Sequence, residues 1–263
     1  MIAFVRSFKR RRILAALSPD QGGWRRLMGR VALFAGLTDA ECLRLRQFAE
    51  LFLHEKNLDL VGGVRLDEEQ RLLLAALACL PILSLGMDAY DHWETLIVYP
   101  GKFTPGRSEV DEAGVVHPSQ SRVGEAWPNG PVIVSWRDVE RDLAGDWDYP
   151  MNVVIHEMCH QLDGRHGGFD GMPVLPSGLD PRDWIREFTA AFTALRQAVK
   201  HRHESFIDPY AGESPAEFFA VACESFFVAP ECLAEGYPGV YALLTLYFRQ
   251  DPLARLGRGS SKS

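Results

Sequence analysis

Hydrophobic positions along the chain follow two periods, and each period predicts a different kind of element. "LTDAECLRLRQFAELFLHEK" carries leucines and phenylalanines at helical spacing and is opened by Thr38 or Asp39. "LDEEQRLLLAALACL" predicts a second helix with its acidic residues in the first turn, where the helix dipole favours them. The apolar run from Leu72 to Met87 reads as a buried helix that ends near Pro81. The period then shortens. "TLIVYP" (Thr95 to Pro100) and "PVIVSW" (Pro131 to Trp136) are β-branched runs bounded by Pro and Gly, and read as strands. A long loop containing His117 separates them, and loops of that length in compact domains are usually functional or locally disordered. Helical spacing returns after Pro150, runs through Val153, Val154, Ile155, Met158 and Leu162, and stops at the glycines of "DGRHGG". Further helices are expected over about Pro181 to His203, over Ser214 to Val228, and around "VYALLTLYFRQ". The pattern predicts a mainly helical α+β fold with a small sheet. It lacks the strand–helix alternation of a doubly wound fold.

Composition narrows the function classes. With 263 residues, 47% hydrophobic and 24% charged, the chain can bury a sizeable core. Its formal net charge of -7 argues against direct nucleic-acid binding by broad phosphate neutralisation. The local exception is "RSFKRRR", Arg6 to Arg12, read as a solvated basic arm. Five scattered cysteines without a CxxC pair favour a reducing compartment. No signal peptide is visible, and the longest apolar run is shorter than the about 18 residues needed to span a bilayer. The expectation is a soluble, cytoplasmic protein with no membrane partner. Its organisation reads as an arm and lead-in over 1–36, a domain over 37–256 and a disordered tail over 257–263.

The chemistry concentrates in "NVVIHEMCHQLD". On a helix, His156 and His160 lie one turn apart on one face and can offer two imidazole nitrogens to one tetrahedral ion. Glu157, beside the first histidine, can act as general base on an attacking water without ligating the ion itself. In an apolar helix these polar side chains would cost several kcal/mol to desolvate unless bonded or metallated. A catalytic zinc site needs a third protein ligand and one open position. His166 completes "HEMCHQLDGRH" at metzincin spacing, but Asp163 stands where that pattern has its turn glycine. Glu217 and Glu224 lie seven apart on the Ser214 helix, nearly on one face. Glu217 also fits a capping box with Ser214, whereas Glu224 sits deeper among apolar residues and needs a partner. Spacing alone does not choose among the three.

Several separated motifs, in order from about Leu37 to Leu256, resemble the zinc-dependent metallopeptidase family typified by Mlc titration factor A. They are "LPILSLG", "LIVYP", "GPVIVSW", "HEMCHQLD", "YAGESPAEFFAVACESFFVAP" and "YFRQDPLARL". The resemblance implies a zincin-like fold and one zinc ion per chain, held by His156, His160 and Glu217, with Glu157 as the base. It implies that His117 of "GVVHPS" reaches the metal in some states, closing the site in a self-blocked form. Tyr210 matches a tyrosine near the metal that donates to a developing oxyanion. It further implies a peptide or protein substrate, laid extended along the "PVIVSW" strand, and a transcriptional repressor as a second partner.

Overall fold

The computed structural model of the chain describes residues 2–17, 22–101, 130–145 and 149–260. Among these residues the helices are α1 (Ile2–Ala15), α2 (Gly22–Arg30), α3 (Asp39–Glu55), α4 (Glu68–Cys79), α5 (Trp136–Ala144), α6 (Val153–Asp163), α7 (Pro181–Lys200), α8 (Pro215–Val228), α9 (Pro230–Gly236), α10 (Pro238–Phe248) and α11 (Pro252–Ser260). The strands are β1 (Asn57–Leu60), β2 (Thr95–Tyr99) and β3 (Val132–Ser135). The described residues are thus mainly helical, with one three-stranded sheet.

Local chemistry sets most helix starts. Thr38 and Glu41 form a reciprocal capping box at α3, and Asp67 and Gln70 form another at α4. Ser135, Asn152, Asp180 and Ser214 cap α5, α6, α7 and α8 through side-chain oxygens. The α6 helix begins at Val153, two residues later than the proline suggested, because Asn152 supplies the cap. Helix α4 stops at Cys79, just ahead of Pro81.

The sheet order is β1-β2-β3, all parallel, with Leu58 opposite Leu96 and Val98 opposite Val134. Helix α4 lies in the crossover from β1 to β2, as a parallel pair requires. Leu96, Val98, Val132 and Val134 are buried, so the sheet packs one face into the core. Among the described strands β3 lies at one edge. Helix α6 lies against β3 on one side and α4 and α8 on others. Helix α8 is buried all round from Ala216 to Phe227, as expected of a helix wrapped by others. Trp184 and Phe188 of α7 and Tyr247 and Phe248 of α10 form much of that wrapping, meeting Phe219 and Phe226 of α8.

Two terminal expectations change. Instead of a solvated arm, the basic segment is helix α1, clamped to the body. Arg10 bonds Glu55 at 2.8 and 2.9 Å, Asp88 at 2.5 Å and Asp91 at 3.2 Å, and Arg6 pairs with Asp91. The cluster spreads around a helix, so two of its five cations, Arg6 and Arg10, meet acids that lie far off in sequence. The lead-in also joins the core, through Trp24, Leu27, Val31 and Phe34. At the other end α11 continues to Ser260, into the stretch expected to be disordered. No helix among the described residues is long and apolar enough to cross a membrane.

Candidate metal centre

The site lies where α6 crosses α8. Residues one turn apart bring His156 and His160 to the same face of α6, with ring centroids 4.8 Å apart. Glu217, in the first turn of α8, meets both. Its Oε2 lies 3.2 Å from His156 Nε2 and 3.4 Å from His160 Nε2, and the two nitrogens are 3.2 Å apart. A tetrahedral ion with bonds of about 2.0–2.1 Å spaces its ligands by about 3.4 Å. The three donor atoms therefore already stand at nearly the separation that a four-coordinate ion requires. Among the described residues Glu217 Oε2 is also buried without a well-formed hydrogen bond, as is His160 Nδ1. Such an oxygen is costly unless something positive lies against it.

Electrostatics agrees with that geometry. Burial pushes the Glu217 carboxyl up, but contacts with His156 and His160 outweigh it and hold the group well below the usual carboxylate range. Burial would lower the His156 pKa, yet Glu217 and Glu224 drive it well above the ordinary histidine value. A field that retains a proton on an imidazole favours a divalent cation in its place.

The capping box predicted for Ser214 and Glu217 is half made. Ser214 Oγ accepts the Glu217 N–H at 3.1 Å, whereas the Glu217 carboxylate turns inward to the histidines. Pro215 at the first helical position and Ser214 at the cap together fix where that first turn begins. Gly171 braces it from outside. Its φ is +79°, and a Cβ there would overlap the Pro215 carbonyl. Its N–H donates to Asp163 Oδ2 at 2.9 Å, and its carbonyl accepts from Trp184 Nε1 at 3.1 Å. Nothing in the local sequence pattern marked Gly171, because its constraint comes from a segment more than forty residues away.

The structure separates the other candidates. Glu224 stays behind His156, on the far side of the ring from Glu217, with Oε2 3.4 Å from Nδ1. His166 belongs to a different group, near Asp163 and Asp170. There its Nε2 lies 2.8 Å from the Met172 carbonyl and its Nδ1 accepts the Gly168 N–H at 3.2 Å. Tyr210 sits at the exposed rim, its ring centroid 6.4 Å from that of His156. Burial, then the nearby Glu217 and Glu157 carboxylates, raise its phenol pKa and keep it protonated. Glu157 follows the first histidine and is partly exposed. Desolvation raises its carboxyl pKa, offset in part by His156 and His160. His117 lies outside the described residues.

The arrangement offers two imidazoles and a carboxylate to a divalent metal, with a free carboxylate and a phenol beside it. Comparison with known proteins points the same way. The family model for glucose-regulated metallo-peptidase M90 matches residues 5–249. The Mlc titration factor A of Pectobacterium atrosepticum is 37% identical over 232 residues, covering 86% of this chain and 85% of its own. That of Escherichia coli (strain ATCC 8739) is 34% identical over 236 residues, 88% of this chain and 87% of its own. That of Salmonella arizonae is 36% identical over 233 residues, 86% and 90% respectively. With a match over most of its length, and donors spaced for one ion, the chain belongs to the glucose-regulated metallo-peptidase M90 family.

Proposed function

We propose that the chain is a zinc-dependent peptidase of zincin-like fold, acting on short peptides or exposed chain ends in the manner of an aminopeptidase. The observation that carries this reading is the triangle of His156 Nε2, His160 Nε2 and Glu217 Oε2, with sides of 3.2, 3.4 and 3.2 Å. Zinc held there supplies Lewis-acid polarisation of a carbonyl and lowers the pKa of water towards neutrality. The protein's own residues do the rest. Glu157 takes the proton of the attacking water, and delivers it to the leaving amine. Tyr210 donates its phenolic hydrogen to the oxygen that gains charge as the carbonyl becomes tetrahedral. The edge strand β3 accepts an extended peptide through main-chain hydrogen bonds, which hold a scissile bond without reading much sequence. His117 is proposed as a fourth donor that closes the site at rest.

Metal analysis with a peptide-nitroanilide assay tests the reading. About one zinc per chain is expected. Glu157→Gln should keep that zinc and lose roughly 10²- to 10⁴-fold in activity. A folded chain that binds no zinc, or equal activity in the variant, ends the proposal.

A second reading has its own support: the relatives are named for titrating Mlc. On this reading the chain captures a transcriptional repressor, and peptidase chemistry is secondary. Glu157→Gln should then still retain the repressor in a pull-down with purified protein. Absence of binding by both wild type and variant would remove this role and leave the peptidase reading untouched.

A further inference from the structure

We infer that Glu224 is the positioning residue for His156, fixing the tautomer of that ligand and the N-terminus of its helix through one buried carboxylate; this rests on the metallopeptidase reading above. Glu224 is 2% exposed and surrounded by the phenylalanines and alanines of α8. A carboxylate there needs donors, and the fold supplies two. Its Oε1 accepts the backbone N–H of Asn152, and its Oε2 faces His156 Nδ1 at 3.4 Å. Glu217, two turns earlier on the same helix, faces the opposite nitrogen, Nε2, at 3.2 Å. The imidazole is bracketed by two carboxylates of one helix.

The consequences follow from the chemistry of the ring. An ion on Nε2 takes the lone pair of a neutral imidazole, and the acceptor at Nδ1 then holds the ring's one N–H there. The lone pair then sits on Nε2, where Glu217 and His160 mark the place of the ion. At 3.4 Å the contact is long for a hydrogen bond, but an ion on Nε2 makes the Nδ1–H a stronger donor and tightens it. Asn152 ties this to the helix. Its backbone N–H binds Glu224, and its Oδ1 caps α6 by accepting the Ile155 N–H at 3.0 Å. Metal binding and order at the start of α6 therefore share one anchor. His160 has no such support, since its Nδ1 is buried without a partner among the described residues.

Glu224→Gln tests the assignment. Glutamine keeps the shape and can still accept from Asn152, but its amide N–H₂ then faces Nδ1 and drives the ring hydrogen onto Nε2. Competition with a chromophoric chelator should show zinc affinity 10- to 100-fold weaker. The metal-free chain should melt within roughly 4 °C of wild type. In ¹⁵N spectra the zinc-loaded wild type should show His156 protonated at Nδ1, with the shift of an N–H that faces a carboxylate, and zinc-loaded Glu224→Gln should lose that shift. Wild type that binds zinc while Glu224→Gln binds it equally well would overturn the inference, as would zinc-loaded wild type without that shift. The last measurement needs no variant, so misfolding of Glu224→Gln does not remove the test. Wild type that binds no zinc would instead overturn the metallopeptidase reading itself.

Discussion

Ser214 and Glu217 divide one sequence signature between two tasks. The serine caps α8, and the glutamate leaves the cap to meet two histidines. Ser214→Ala should therefore lose about 1 kcal/mol of stability in urea denaturation. Because the cap also fixes where the first turn starts, zinc affinity should fall as well. Glu217→Ala should weaken zinc binding far more, whereas His166→Ala should leave it nearly unchanged, both measured by chelator competition. That contrast rests on His166 bonding its own loop at Met172 and Gly168. At this scale much of the candidate site was legible: HExxH put two histidines on one face of a helix, and the structure brings their rings to 4.8 Å. The choice between Glu217 and Glu224 was not, since residues seven apart share a face and spacing carries no depth. Only the crossing of α6 over α8 places one carboxylate on each side of the His156 ring.

The junction of α3 and β1 holds a lysine under constraint. Lys56 donates to the carbonyls of Tyr90 and Trp93 and lies 4.1 Å from the Trp93 ring centre. Burial lowers its pKa to about 8, against the partly opposing charges of Asp91, Glu55 and Glu94. Between pH 8 and the ordinary lysine value of about 10.5, the unfolded chain carries a proton here that the folded chain has lost. Stability from this group should then rise with pH across that window and fall away as pH drops through 8. Chemical denaturation of wild type against Lys56→Met, at several alkaline pH values, reads that difference. A second constraint lies before α7. Gly171→Ala should destabilise by more than about 1 kcal/mol, and it should weaken zinc binding because Pro215, which it would displace, stands two residues before Glu217. Among the elements, the strongly periodic ones were legible: α3, α4, α6, α7, α8, α10 and the strands β2 and β3 all lie where their patterns put them. Strand β1 was hidden because "NLDL" alternates exposed polar residues with half-buried leucines over only four positions. Helix α5 was hidden too, with a polar sequence of nine residues and a single fully buried side chain, Val139.

Across the whole molecule, α1 is held to the body by charge as much as by apolar packing. Arg10 reaches Glu55 at the end of α3 and Asp88 and Asp91 in the turn before β2, so one guanidinium ties three distant segments together. Burial works against its charge, but bonds to Glu55 and Asp88 more than compensate, leaving it firmly protonated. Bidentate pairs of this kind are the ion pairs with measurable worth, and half-burial protects this one from salt. Arg10→Met should free α1 to open, so its amides should exchange faster with deuterated solvent. Amides of α6 and α8 should keep their protection, because α1 packs chiefly against α3. The same change should be felt at Lys56. Arg10 is one of the charges that lower the Lys56 pKa, and its loss also leaves Glu55 and Asp91 free to favour a protonated amine. Both effects move the Lys56 pKa up towards its unfolded value, so the alkaline rise in stability should begin at a higher pH and be smaller. If Arg10→Met instead left that pH profile unchanged while α1 opened, the helix and the lysine would be separate features of the fold, without the electrostatic link described here.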